Sequence, residues 1–227
     1  MGNTTIDACS FEKGELSYLG KFSHDQIHEL KGSWERVYIS SVRPSLNRFL
    51  EETFKNAFFI RPEHVPIETE GIQKQKVGID RLLNLYGAFL HYGKDCLVVS
   101  CGTAMVLDLI VEGIFVGGFI TLGLSGKLRC LQEKAELIPS FQMEKVDVPV
   151  GKDTRSAILG GIIREARVFI LSFLEESKRT YGKEIRLVIT GGDGYLLEDL
   201  GIYDPILIFR GMVKVAGAGF EPATFGL

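Results

Sequence analysis

The stretch that most constrains the fold is Cys96–Cys101, "CLVVSC", a short continuous apolar run placed directly after the amphipathic segment "DRLLNLYGAFLHYG". A run with β-branched residues and no polar alternation suits a strand buried on both faces. The apolar spacing before it, closed by Gly93, suits a helix with a glycine C-cap. A helix feeding a central strand is an α/β signature. Upstream, "VYISSV" reads as a strand closed by Arg43-Pro44, Pro44 fits the first turn of the helix "SLNRFLEETF", and "AFFIR" is a second strand. Downstream, "CGTAMVLDLIVEGIFVGGFITLG" reads as strand, tight turn at Glu112-Gly113, and strand. The segments "SGKLRCLQEKAEL" and "DTRSAILGGIIREARVFILSFLEESKRTYG" follow as helices, and "IRLVITGGDGYLL" as a buried strand running into a Gly-rich loop. This order predicts two α/β halves, 1–97 and 98–215, with 216–227, rich in Gly and Ala, as a flexible tail.

With 227 residues and 45% hydrophobic content, the chain can bury one good core or two small ones. Its formal net charge is -3 with Lys and Arg dispersed, which argues against a nucleic acid or an anionic membrane as partner. No apolar stretch reaches the roughly 18 to 20 residues of a spanning helix. Cys9, Cys96, Cys101 and Cys130 lack metal-ligand spacing, and Cys96 and Cys101 lie in or beside the apolar run, so reduced thiols and a cytoplasmic location are expected. His24 and His28 stand at helical spacing without a Glu or Cys to complete a metal site, which favours an ordinary surface pair.

Two corners share a pattern: "GNTTID" at 2–7 and "GTAMVLD" at 102–108 each combine Gly, Thr and small residues with a following Asp. Such a corner leaves backbone N–H groups unpaired with the sheet, and these together with a Thr hydroxyl can donate to phosphate oxygens. For a glycine corner taken alone, relief of backbone strain is the more common use. The pairing of two corners with "TGG" at 190–192 shifts the balance toward phosphate. In "GIDR", 78–81, Asp80 begins a helix, where the dipole favours a carboxylate, and Arg81 can pair with an anionic substrate. An ordinary acidic residue in a first helical turn is the alternative. A carboxylate fixed there can also accept a proton from a substrate hydroxyl during phosphoryl transfer.

"GNT" at 2–4, "GIDR" at 78–81, "GTA" with Asp108 at 102–108, "GGFI" at 117–120, "GKDT" at 151–154, "TGGDG" at 190–194 and "DPILIFRGM" near the end follow one another in an order that resembles the type III pantothenate kinases. The resemblance implies an actin-like (ribonuclease H-like) duplicated α/β fold around a nucleotide cleft, usually a homodimer. It implies transfer of the ATP γ-phosphate to the hydroxyl of pantothenate, the first step of coenzyme A synthesis, with Mg2+ and a monovalent cation, K+ or NH4+. By the same resemblance Asp80 is the proton acceptor, and Gly78, Ile79 and Arg81 line the pantothenate site. Thr154 is a second pantothenate contact, reaching across the dimer interface. Thr103 contacts the ATP phosphates, and Gly2, Asn3, Thr4, Thr5, Ile6 and Asp7 resemble the remainder of the first phosphate loop.

The departures carry expectations of their own. Ser100 stands where the family has the Asp that carries the monovalent cation, so cation binding and phosphate neutralisation are expected to weaken. Leu122 replaces a Pro, Asp153 an Asn, and Lys134 or Ala135 a Thr; Asp153 is expected to add negative charge near a site meant for anions. Met1 falls inside the family's first loop motif, so the first strand and its Asp are expected upstream of an internal methionine. The second function consistent with the sequence is a catalytically impaired relative acting as a binding or transcriptional accessory protein. Asp108 can face either a cleft or the sheet.

Overall fold

The computed structural model describes residues 2, 5–30, 32 and 34–219. In chain order its elements are β1 (Ile6–Glu12), β2 (Glu15–Phe22), β3 (Val37–Ile39), α1 (Pro44–Thr53), β4 (Ala57–Phe59), β5 (Glu68–Thr69) and α2 (Ile79–Tyr92). There follow β6 (Cys96–Cys101), β7 (Ala104–Val111), β8 (Ile114–Leu122), α3 (Leu124–Lys134), α4 (Thr154–Tyr181), β9 (Arg186–Thr190), β10 (Ile202–Tyr203) and α5 (Leu207–Gly219). Two compact units emerge: the first runs to Leu90 and resumes at Ile206, and the second is His91–Pro205. A division at 97/98 would fall inside β6, whereas the observed one leaves that strand whole. Helix α5 belongs with the first unit and continues to Gly219, past residue 216; residues 220–227 lie outside the described residues.

In the first unit β1 and β2 form an antiparallel hairpin. Its turn places Lys13 at φ 51 and Gly14 at φ 88, the left-handed pair that matches the twist of flanking strands. Strands β3 and β4 pair in parallel with α1 between them, and Pro44 occupies the first turn of α1 as expected. Ile6, Ile27, Ile39 and Leu50 make one buried cluster. Helix α2 buries Leu82, Leu83, Leu85 and Ala88, and meets α5 at two glycines. A Cβ on Gly87 would stand 2.5 Å from the Leu207 carbonyl oxygen, and one on Gly211 would stand 2.2 Å from that of Leu83. Only hydrogen at those positions lets the two backbones approach this closely.

In the second unit the strand order is β10-β9-β6-β7-β8. β6 runs antiparallel to β7 and parallel to β9, and β7 runs antiparallel to β8. The β7–β8 turn is the expected one, with Glu112 at φ 55 and Gly113 at φ 85. Leu97, Val99 and Cys101 on β6 share a core with Met105 and Leu107 on β7, Leu187 and Ile189 on β9, Leu124 and Leu128 on α3, and Leu159, Ile163 and Ile170 on α4. Cys96 and Val98 are buried as well, so β6 is covered on both faces, as its uninterrupted apolar run requires. Among the described residues no helix is long and apolar enough to cross a membrane.

Candidate active site

Gly78, Ile79, Asp80 and Arg81 form the head of α2 in the first unit. The Gly78 carbonyl accepts the N–H groups of Arg81 and Leu82 at 3.1 and 3.2 Å, which starts the helix. Ile79 is buried, while Asp80 and Arg81 are half-buried. The Asp80 carboxylate folds back over Gly78: a Cβ there would stand 2.6 Å from Asp80 Oδ1. Glycine at 78 therefore makes room for a carboxylate held in the first helical turn, where the dipole favours its charge.

Gly2 and Thr5 are joined by a Gly2 N–H to Thr5 carbonyl bond of 2.9 Å, while Asn3 and Thr4 lie outside the described residues. Ile6 and Asp7 open β1. The Asp7 carboxylate accepts the Tyr18 hydroxyl at 2.7 Å across the hairpin and faces Lys21 at 4.0 Å.

In the second unit three loops meet at the ends of β6, β8 and β9. The turn after β6 carries Gly102 and Thr103, with the Gly102 N–H donating to the Ala104 carbonyl at 2.9 Å. Gly123, between β8 and α3, donates its N–H to the Thr103 carbonyl at 3.0 Å and packs so tightly that a Cβ would stand 2.0 Å from the Gly102 oxygen. Gly191, at φ 89, lies against Cys101, where a Cβ would stand 2.4 Å from the carbonyl oxygen. The Asp193 N–H donates to that same carbonyl at 3.0 Å. Ser100 lies one residue before this corner, with its Cα paired to Val106 and Thr190. Burial pushes the Cys101 thiol up to about 12, with the Asp193 charge adding to it, so this cysteine is an inert apolar filler.

The Asp193 carboxylate closes the arrangement. Its two oxygens accept the Ser125 backbone N–H at 3.0 Å and the Ser125 hydroxyl at 2.9 Å, tying the loop after β9 to the first turn of α3. Ser125 and Asp193 line a cavity of about 280 Å³ together with Arg129, Gln132, Phe141 and Tyr195. Neither residue had been given a role from the sequence. The signal available was "TGGDG" itself, where an acidic residue interrupts a glycine loop.

Thr154 is the first residue of α4 and is exposed. Before it, Asp153 is the N-cap: its Oδ1 accepts the Ser156 N–H at 2.8 Å and its Oδ2 the Ser156 hydroxyl at 2.8 Å. These bonds, with Arg155 nearby, hold its carboxyl below the usual range. Asp153 is thus explained by helix capping, a role that Asn also fills. Asp108 is 3% exposed in the middle of β7, with its Cα facing Val98 on one side and Gly118 on the other. A Cβ on Gly118 would stand 2.9 Å from Asp108 Oδ1, so the carboxylate lies over the sheet.

The sequence pattern of the family described as type III pantothenate kinase matches residues 1–176. A protein of that name from Aquifex aeolicus is 37% identical over 212 residues, covering 93% of each chain. Another from Thermosipho melanesiensis is 30% identical over 93% of this chain and 94% of its own. Among solved structures, a Baf family protein from Campylobacter jejuni superposes with a TM-score of 0.67 over 95% of this chain and 94% of its own, at 24% identity, a likeness of fold. The architecture is mixed α/β, the class expected from the sequence. With the family pattern matching residues 1–176 and a relative 37% identical over 93% of the chain, this chain belongs to the type III pantothenate kinase family.

Proposed function

We propose that the chain is an ATP-dependent kinase that phosphorylates the terminal hydroxyl of pantothenate, giving 4′-phosphopantothenate for coenzyme A synthesis. The observation that supports it best is Asp80, a carboxylate held over Gly78 at the head of α2, in a chain of this family. As the hydroxyl oxygen bonds to the γ-phosphorus and the bond to the β-bridging oxygen breaks, the hydroxyl proton passes to Asp80 and ADP leaves. Positioning matters more here than a strong base. Gly78, Ile79, Arg81 and Thr154 are assigned to pantothenate, Thr154 reaching it from a second copy in a cytoplasmic homodimer. Thr103 and the segment from Gly2 to Asp7 are assigned to ATP.

Mg2+ suits this site as an ion carried in by ATP. Among the described residues Asp193 is the one carboxylate lining the cavity, and both its oxygens already serve Ser125, so most Mg2+ ligands would be phosphate oxygens and water. Bound there, the ion would neutralise phosphate charge. A K+ or NH4+ site fits less well. Ser100 offers a neutral hydroxyl, and the Cys101 and Thr103 carbonyls are engaged by Asp193 and Gly123.

The test is ATP-dependent phosphorylation of pantothenate with and without K+ or NH4+, on the natural chain and on Ser100→Asp. Turnover that disappears in Asp80→Ala supports the kinase, and cation dependence gained in Ser100→Asp supports the assignment of that position. Absence of turnover in both, with pantothenate still bound, would sink the kinase reading in favour of an accessory role.

A further inference from the structure

One turn beyond Asp80, helix α2 buries a polar side chain that nothing above employs. Asn84 is 7% exposed, and its Oδ1 has no hydrogen-bond partner among the described residues. Residues i and i+4 lie on one helix face, and helical side chains lean toward the N-terminus, so Asn84 leans toward the turn that carries Asp80. A buried acceptor without a donor is costly, which makes it a candidate to receive a donor from a ligand.

We propose that Asn84 positions the substrate: its carboxamide oxygen accepts the amide N–H of the pantothenate whose terminal hydroxyl is engaged by Asp80. The inference rests on the pantothenate reading and extends it to a residue beyond the family motif. The spacing agrees. Four residues along a helix rise about 6 Å, and in pantothenate five bonds separate the terminal hydroxyl oxygen from the amide nitrogen, about 6 Å when extended. One helix face can therefore meet both groups of the extended molecule. The match also gives this site a means of selecting an amide over an otherwise similar hydroxy acid, because a site built to bond an N–H leaves its own acceptor unpaired when the ligand lacks one.

The experiment compares pantothenate with its ester isostere, in which oxygen replaces the amide N–H. Binding to the full chain is measured by calorimetry, and turnover with ATP is measured in parallel, for the natural protein, Asn84→Leu and Asn84→Ala. The natural protein is expected to bind the amide about tenfold more tightly than the ester, and both variants are expected to lose that preference. Asn84→Leu should match or exceed the natural Tm, since it replaces an unpartnered polar group with an apolar one of similar size. The preference is a ratio within each protein, so a reduced folded fraction in one variant does not change it. Equal binding of the two ligands by the natural protein, or an unchanged preference in either variant, overturns the proposal. Preference without turnover would leave Asn84 in place and remove the kinase reading, whereas failure of the natural protein to bind pantothenate would remove both.

Discussion

At the scale of single residues, the head of α2 separates folding from chemistry. Gly78→Ala would place a Cβ 2.6 Å from Asp80 Oδ1, the far end of a side chain that can rotate away. The fold is expected to tolerate the change, with Tm shifting by only a few degrees, while kcat/KM for pantothenate falls at least about tenfold as the carboxylate leaves its position. Asp80→Asn keeps the shape and removes the proposed proton acceptor, and about 10² to 10⁴ of the rate should go with it. Asp153 is the opposite case, a matter of folding alone. Its carboxyl is held low chiefly by the Ser156 N–H, so its charge stabilises the fold above the ordinary carboxylate pKa. That contribution is lost as pH falls through the depressed folded value. Thermal unfolding of the natural protein and Asp153→Asn should show a small constant gap at neutral pH that closes below about pH 4. Asp153→Ala should lower Tm throughout, and none of the three should differ in KM for pantothenate. A gap that widens in acid would refute the capping account. The sequence suggested charge repulsion at Asp153 because it shows which residue is present but not that Ser156 lies on the same turn to receive it.

At the scale of elements, what was legible followed the strength of local signals. β6 could be read because an unbroken apolar run has few other uses, and the Glu112-Gly113 turn because its dipeptide matches a left-handed hairpin corner. The β1–β2 hairpin went unread for the converse reason: of its strand residues only Ile6 is buried, and the Lys13-Gly14 pair at its turn is not one of the strong hairpin dipeptides. The glycines of α2 and α5 also look alike in sequence yet differ in consequence. A Cβ at Gly211 would stand 2.2 Å from a backbone oxygen of Leu83, which cannot rotate aside, while Gly217 on the same helix has open space around it. Gly211→Ala should therefore destabilise the protein by about 3 kcal/mol through overpacking. Gly217→Ala should stabilise it by roughly 0.5 to 1 kcal/mol through helix propensity. Urea unfolding of the two variants decides this, and the same sign for both would mean that the α2–α5 contact is not as close as described.

At the scale of the whole molecule, the sequence pointed to two halves divided at 97/98, and it did not convey the route of the chain, which leaves the first unit at Leu90 and returns to it at Ile206. Apolar periodicity is local, whereas the return of α5 to the first unit depends on Gly87 meeting Leu207, partners remote in sequence. The same limit applies to the site: its glycine loops could be found one by one, but the bond from Ser125 to Asp193 joins residues 68 positions apart. The route has a consequence for stability. Every residue of the large core, from Leu97 to Leu197, and those packed against it, through Tyr203, belong to the second unit, so that core owes nothing to α5. The first unit, by contrast, seals α2 with a helix that arrives only after the second unit is complete. Truncation after Pro205 should therefore leave amide exchange slow in β6, β7 and β9, as in the full chain, while Leu82–Ala88 of α2 lose protection by orders of magnitude. Hydrogen exchange read by mass spectrometry resolves the two regions in one experiment. Loss of protection in β6 together with α2 would show that the units fold as a single cooperative block, and that the contact through Gly87 and Gly211 stabilises β6 as much as the helix bearing Asp80.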